Sequence, residues 1–127
     1  MSAAVSAGII GGVALGGALG AVARLLLDRY LPAGLLVANT LGSLLLGWLY
    51  GALSLQLNGT GPGLLSEPAT AVLALGLIGA LSTFATVSLR AAQLWIEGSR
   101  LHAVGLWLVH AVCGLAAGAC GIWLAWL

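Results

Sequence analysis

Neutral hydrogen-bonding side chains stand inside long apolar stretches of this 127-residue chain. Asn39 and Ser43 are four residues apart and therefore share one face of a helix. Further polar groups follow in two later apolar stretches: Ser82, Thr83, Thr86, Ser88, His110 and Cys113. Amide and hydroxyl groups donate hydrogen bonds, and none of the three acidic residues lies among them. These donors favour binding of a small anion over binding of a cation.

The composition indicates a membrane protein. Hydrophobic residues make up 61% of it and charged residues 6%, with no lysine, whereas a water-soluble domain carries about 25% charged residues. A soluble cytoplasmic enzyme, a nucleic-acid-binding protein and a disordered tail are therefore excluded. An all-α integral membrane protein of one small domain, residues 1–127, is predicted.

The few charges divide the chain into four charge-free runs, which cover residues 1–23, 30–66, 68–89 and 101–127. A helix needs roughly 20 residues to cross a bilayer, so each run accommodates one span. The runs are continuously apolar and do not alternate, which favours helices over a barrel. Four transmembrane helices are predicted, over about 4–27, 33–56, 69–96 and 102–126.

Two local signals mark the connection between the second and third spans. Residues 57–63 (LNGTGPG) are rich in glycine and are predicted to form a surface loop. Ser66 can cap the following helix, and Pro68 stands where its missing N–H costs little.

Three segments resemble the Fluc (CrcB-type) fluoride channel family. Residues 16–24 (GGALGAVAR) resemble its GGxxGAxxR opening, and residues 39–47 (NTLGSLLLG) are similar to its N-x-x-G-S-F-L-L-G motif. Residues 76–87 (GLIGALSTFATV) are a weakened version of G-x-x-G-G-x-T-T-F-S-T-F. The three occur in the family's order and spacing and cover most of the chain.

The resemblance implies an antiparallel, dual-topology-type dimer of four-span subunits with two narrow pores, located in the inner (plasma) membrane and surrounded by lipid. The third helix of such a subunit is broken in the segment that matches residues 79–83. Backbone carbonyls from both subunits hold a structural sodium ion (Na+) at the dimer centre, and the matching positions here are Gly79 and Ser82. Carbonyl oxygens suit a hard cation.

The resemblance also assigns a fluoride pathway, through which fluoride leaves the cytoplasm passively. Asn39 matches the pore asparagine, Phe84 the first aromatic residue of the pore, and Arg24 the basic residue near the vestibule. Hydroxyl groups complete the predicted pathway: Ser43, Thr83 and Thr86. Such donors can replace the water that fluoride sheds, and the positive edge of an aromatic ring can solvate an anion.

Four positions depart from the family pattern. Ala80 replaces a glycine and Val87 an aromatic residue, Arg90 stands where an acid is common, and His110 stands where a small hydroxyl residue is expected. All four arginines lie in or beside the first and third loops, so the positive-inside rule places both termini outside the cytoplasm. A chain with this bias should insert in one direction only. We therefore hypothesise that it pairs with a related four-span chain in a heterodimer, the homodimer being the alternative.

Two other functions suit the sequence less well. A small four-helix multidrug exporter needs an acid within its first span, and residues 5–23 contain none. A non-conducting assembly subunit would use close-packing glycines such as those at 8, 12, 16 and 20, but it leaves Asn39 unexplained. An enzyme is not expected, because neither a nucleophile–base pair nor a metal-ligand set is evident; His110 and Cys113 would supply only two metal ligands.

Overall fold

The computed structural model describes residues 3–61, 63 and 66–127, and within these ranges every regular element is helical. In chain order the elements are α1 (Ala3–Tyr30), α2 (Gly34–Leu57), α3 (Glu67–Ala71), a π-helical segment (Val72–Ile78), α4 (Gly79–Leu81), α5 (Phe84–Ile96) and α6 (Arg100–Ala125). Four stretches are long and apolar enough to cross a membrane, the third being Glu67–Ile96. The predicted all-α, four-span membrane fold is therefore confirmed.

The third span begins as its sequence predicts. Ser66 has extended backbone angles, and its hydroxyl oxygen accepts a hydrogen bond from the Ala69 N–H at 3.4 Å. Pro68 lies in the first turn, where no helical partner is lost. In the loop before it, Gly59 has a φ of +71°, a backbone conformation that favours glycine. Pro62, which was part of the predicted loop, lies outside the described residues.

Glycines bring α1 into direct backbone contact with the π-helical segment. A Cβ atom at Gly16 would lie 3.1 Å from both the Val72 carbonyl oxygen and the Leu77 amide nitrogen. One at Gly20 would collide with the Leu77 carbonyl, whereas one at Gly8 would meet nothing within 4 Å. Close packing thus explains the glycine repeat over the inner part of α1.

Glycines also allow close backbone contact between α2 and α6. A Cβ atom at Gly47 would collide with the Gly118 carbonyl, and one at Gly121 would collide with the Leu44 carbonyl. The contacts rise together in number along the two helices, Gly47 with Gly118 and Gly51 with Ile122, so α2 and α6 run parallel. α6 also packs against α5, which places the second half of the third span beside α6.

The third span is interrupted in its middle. α4 ends at Leu81, and Ser82 (φ −90°, ψ 126°) and Thr83 (φ −143°, ψ 113°) are extended before α5 begins at Phe84. Non-helical backbone at this depth requires partners for its polar groups. The break expected from the family resemblance is confirmed, at residues 82 and 83.

Candidate functional site

The side chain of Asn39 on α2 binds the broken backbone of the third span. Its Oδ1 accepts a hydrogen bond from the Thr83 N–H at 2.7 Å, and its Nδ2 donates to the Thr83 carbonyl at 3.3 Å. Asn39 is 8% exposed, so the amide would be costly to bury without such partners. It satisfies both polar groups of one extended residue and leaves the second Nδ2 hydrogen for another acceptor.

A glycine one turn further along α2 allows this approach. A Cβ atom at Gly42 would lie 2.6 Å from the Cβ atom of Ser82, closer than real Cβ atoms come. Gly42 is buried, and the extended segment fills the space that a side chain there would occupy. α2 therefore supports the break in two ways. The Asn39 side chain binds the extended backbone, and the absence of a side chain at Gly42 leaves room for it.

The break also changes the hydrogen bonding of the carbonyls that precede it. In a continuous α-helix the Thr83 N–H would bind the Gly79 carbonyl; here it binds Asn39. The last helical bond before the break runs from the Ser82 N–H to the Ile78 carbonyl at 3.0 Å. The carbonyls of residues 79–82 thus lie past the last helical bond of this half. Gly79 and Ser82, the two positions predicted to hold sodium, are among them.

Phe84, the first residue of α5, forms an aromatic pair with Trp107 of α6. The ring centroids are 4.8 Å apart and the planes meet at 72°, an edge-to-face arrangement. Both residues are about half exposed, at 45% and 47%. Val87 is fully buried, so within this subunit position 87 belongs to the core, and the second ring beside Phe84 comes from α6.

The other predicted pathway residues occupy separate positions. Ser43 faces α6, since a Cβ atom at Gly114 would lie 3.3 Å from its hydroxyl oxygen. Thr86 lies in the first turn of α5 and is half-buried. Arg24 is half-buried on α1, one turn before Asp28. The break thus brings Asn39 and Thr83 into contact, whereas Ser43 contacts the α2–α6 interface.

A cavity of about 730 Å³ opens near one end of the bundle, where α1 ends and α2 and α6 begin. Asp28 and Arg90 lie in its wall and form an ion pair with an N–O distance of 2.8 Å. Arg90 is therefore not a free cation. The pairing largely cancels its charge, because Asp28 lies within direct contact.

His110 is the deepest residue of α6 in the wall of this cavity. The ring is 7% exposed, and Nδ1 lies 2.8 Å from the Leu106 carbonyl oxygen. A carbonyl only accepts hydrogen bonds, so Nδ1 carries the proton. Nε2 is buried and has no hydrogen-bond partner among the described residues.

Sequence reasoning missed Gly42, Trp107 and the ion pair of Arg90. The family motif contains a glycine at position 42, but only the contact with Ser82 reveals its role. Trp107 carried no signal beyond its residue type. Across the described ranges, no group of three or more His, Cys, Asp or Glu side chains could hold a metal ion.

Comparison with known proteins agrees with this architecture. The family described as "CrcB-like protein, Camphor Resistance (CrcB)" matches residues 11–122. The chain is 34% identical to fluoride-specific ion channel FluC 1 of Geobacillus kaustophilus, over 91% of this chain and 90% of that one. It is 37% identical to fluoride-specific ion channel FluC of Pseudoalteromonas translucida, over 91% and 92% of the two chains. It is also 38% identical to the FluC channel of Hyphomonas neptunium, over 89% and 91%. The chain, a multi-pass membrane protein whose third span breaks beside a buried asparagine, belongs to the CrcB-like protein family.

Proposed function

We propose that this protein is a fluoride-specific ion channel that lowers cytoplasmic fluoride by passive efflux. The observation that carries the proposal is the pair of hydrogen bonds between Asn39 and the extended backbone at Thr83, in a chain similar to fluoride channels over nine-tenths of its length. A channel is a transporter, so no catalytic residue is required.

The proposed pathway uses neutral donors at the helix break. Fluoride holds its water tightly, and a pore must replace that shell without binding the ion too firmly to release it. The second Nδ2 hydrogen of Asn39 is one such donor. The Phe84 side chain is partly exposed, and the edge of an aromatic ring carries positive partial charge. The other residues assigned to the pathway are Ser43, Thr83, Thr86 and Arg24.

A structural sodium ion fits the carbonyls before the break. The Gly79 carbonyl has lost the partner that a continuous helix would provide, and the Ser82 carbonyl follows the last helical bond. Oxygen ligands of this kind suit a hard cation. When bound, sodium would neutralise their partial negative charge where the subunits meet, and the residues holding it would be Gly79 and Ser82 of each subunit.

The assembly proposed is an antiparallel dimer in the plasma membrane, in which the arginine-rich loops of this chain lie on the cytoplasmic side. The arginine bias favours a related chain of opposite orientation as the partner over a second copy. Rapid fluoride efflux from liposomes that contain only this chain would refute obligatory heterodimerisation. Efflux that requires a co-expressed four-span relative would support it.

The proposal is tested in cells that lack their own fluoride exporter. Expression of the wild-type chain, with any four-span relative encoded beside it, should lower cytoplasmic fluoride and restore growth on fluoride. Asn39→Ala should lose this protection. Asn58→Ala is the matched control, because Asn58 is an exposed residue that follows the end of the same helix.

Three outcomes separate the candidate functions. A channel protects against fluoride and conducts it down the fluoride gradient even when the pH is equal on both sides of the membrane. An exporter driven by the proton gradient loses its effect when that gradient is dissipated. A wild-type chain that reaches the membrane and gives no protection against fluoride would contradict the proposal.

A further inference from the structure

A buried histidine with one unused ring nitrogen lies in the wall of the cavity at the bundle end. Nδ1 of His110 binds the Leu106 carbonyl at 2.8 Å, and Nε2 has no partner among the described residues. The cavity runs along α6 from Leu101 to His110, nine residues, or about 13 Å at the rise of a helix. His110 is therefore the polar side chain of α6 in this wall that lies furthest from the start of the helix.

The chemistry of Nε2 depends on its proton. Because Nδ1 carries the proton of the neutral ring, Nε2 presents a lone pair, which repels an anion. Addition of a proton at Nε2 converts it into an N–H donor on a positive ring. An isolated charge is costly at this burial, and a bound anion would offset that cost. Protonation of Nε2 and anion binding should therefore occur together.

The other charged groups in the cavity wall are not placed to bind an anion beside His110. The other titratable groups in the cavity wall are Asp28 at the end of α1, Arg90 on α5 and His102 on α6 itself. Asp28 and Arg90 pair with each other at 2.8 Å. α2 contributes only apolar residues to the wall, Gly34 to Leu36. His102 lies about two turns nearer the start of α6 and is exposed.

We propose that His110 forms a proton-dependent anion site, in which the ring takes up one proton at Nε2 and donates a hydrogen bond from that nitrogen to one small anion. The proton comes from the water outside the open end of the cavity, and the pair that forms is electrically neutral overall. In the proposed channel the anion is fluoride, so that identity rests on the proposed function. Acidification on the side of the cavity should then increase fluoride occupancy and flux.

The first test measures fluoride efflux from liposomes between pH 8 and pH 6, with the leak of protein-free liposomes subtracted at each pH. Wild-type flux should rise at least about threefold on acidification, because protonation at Nε2 supplies the donor that the anion binds. His110→Gln, which keeps a donor that does not titrate, should retain flux and lose the pH dependence. His102→Gln is the matched control and should keep it.

The second test needs no conduction. Fluoride added to the purified chain in weakly buffered detergent should cause uptake of about one proton per subunit, and chloride should cause much less. Proton uptake that persists in His110→Gln or disappears in His102→Gln would overturn the site. Wild-type flux that does not change with pH would overturn it as well and leave the proposed channel standing. Proton uptake without flux at any pH would contradict the channel and support the site.

Discussion

Replacement of Asn39 by alanine removes both hydrogen bonds that hold the break in the third span. Loss of Oδ1 leaves the half-buried Thr83 N–H without its 2.7 Å partner, at a cost of about 1–2 kcal/mol. The 3.3 Å bond from Nδ2 is longer, and polar contacts between membrane helices average about 0.6 kcal/mol. Together the two losses destabilise the state in which Thr83 is bound to Asn39 by about 2 kcal/mol. The equilibrium between this state and one with a free Thr83 amide should shift roughly 30-fold.

Amide hydrogen exchange of the purified chain in detergent measures this opening directly. The Thr83 amide should exchange about 30-fold faster in Asn39→Ala than in the wild type. Asn58→Ala should leave it unchanged, because Asn58 is exposed after the end of α2. Exchange within α6 should be similar in all three proteins, which shows that the effect is confined to the break.

Two results would refute this reasoning. Equal exchange of the Thr83 amide in the wild type and Asn39→Ala would mean that Asn39 does not hold the break. A uniform increase in amide exchange across all helices would mean that the substitution destabilises the whole subunit. The two hydrogen bonds of Asn39 would then not stabilise the break in particular.

Three further changes test other parts of the site. Gly42→Ala should lower the free energy of unfolding by about 1–3 kcal/mol, since the new methyl group displaces the extended segment. Gly17→Ala is the control, because its methyl group would meet nothing within 4 Å, and it should raise the free energy of unfolding by up to about 1 kcal/mol. Denaturant titration compares the two, and equal effects would contradict the contact. A double-mutant cycle of Phe84→Leu and Trp107→Leu should give a coupling energy of about 0.5–1.5 kcal/mol, whereas additivity would show that the rings do not interact. Arg90→Gln should cost less than about 1 kcal/mol, and less still at high salt, because its ion pair is about half exposed; a larger, salt-independent loss would contradict this.

Local features of the fold could be predicted from the sequence because their causes lie within a few residues. Charge-free runs set the number of spans, and Ser66 with Pro68 set the start of the third. The break needed the family resemblance, since Ser82 and Thr83 carry no local signal strong enough to end a helix. The π-helical segment was not predicted, because its geometry follows from glycine contacts with α1.

The site was less predictable because its contacts join distant parts of the chain. Asn39 and Thr83 are 44 residues apart, and no spacing rule connects an amide on one helix to an extended residue on another. Arg90 pairs with Asp28 over 62 residues, a contact that no local pattern in the sequence indicates. The fluoride pathway, the sodium site and the dimer stay predictions.

The most direct test of the central claim is ion efflux from liposomes that contain the purified protein, with fluoride and chloride measured in parallel. The neutral donors at the break should let fluoride leave rapidly and exclude chloride. The Asn39→Ala protein should lose fluoride conduction, whereas the Asn58→Ala protein should keep it. Absence of fluoride efflux, both alone and with a co-expressed four-span relative, would contradict the account. So would chloride efflux as fast as that of fluoride.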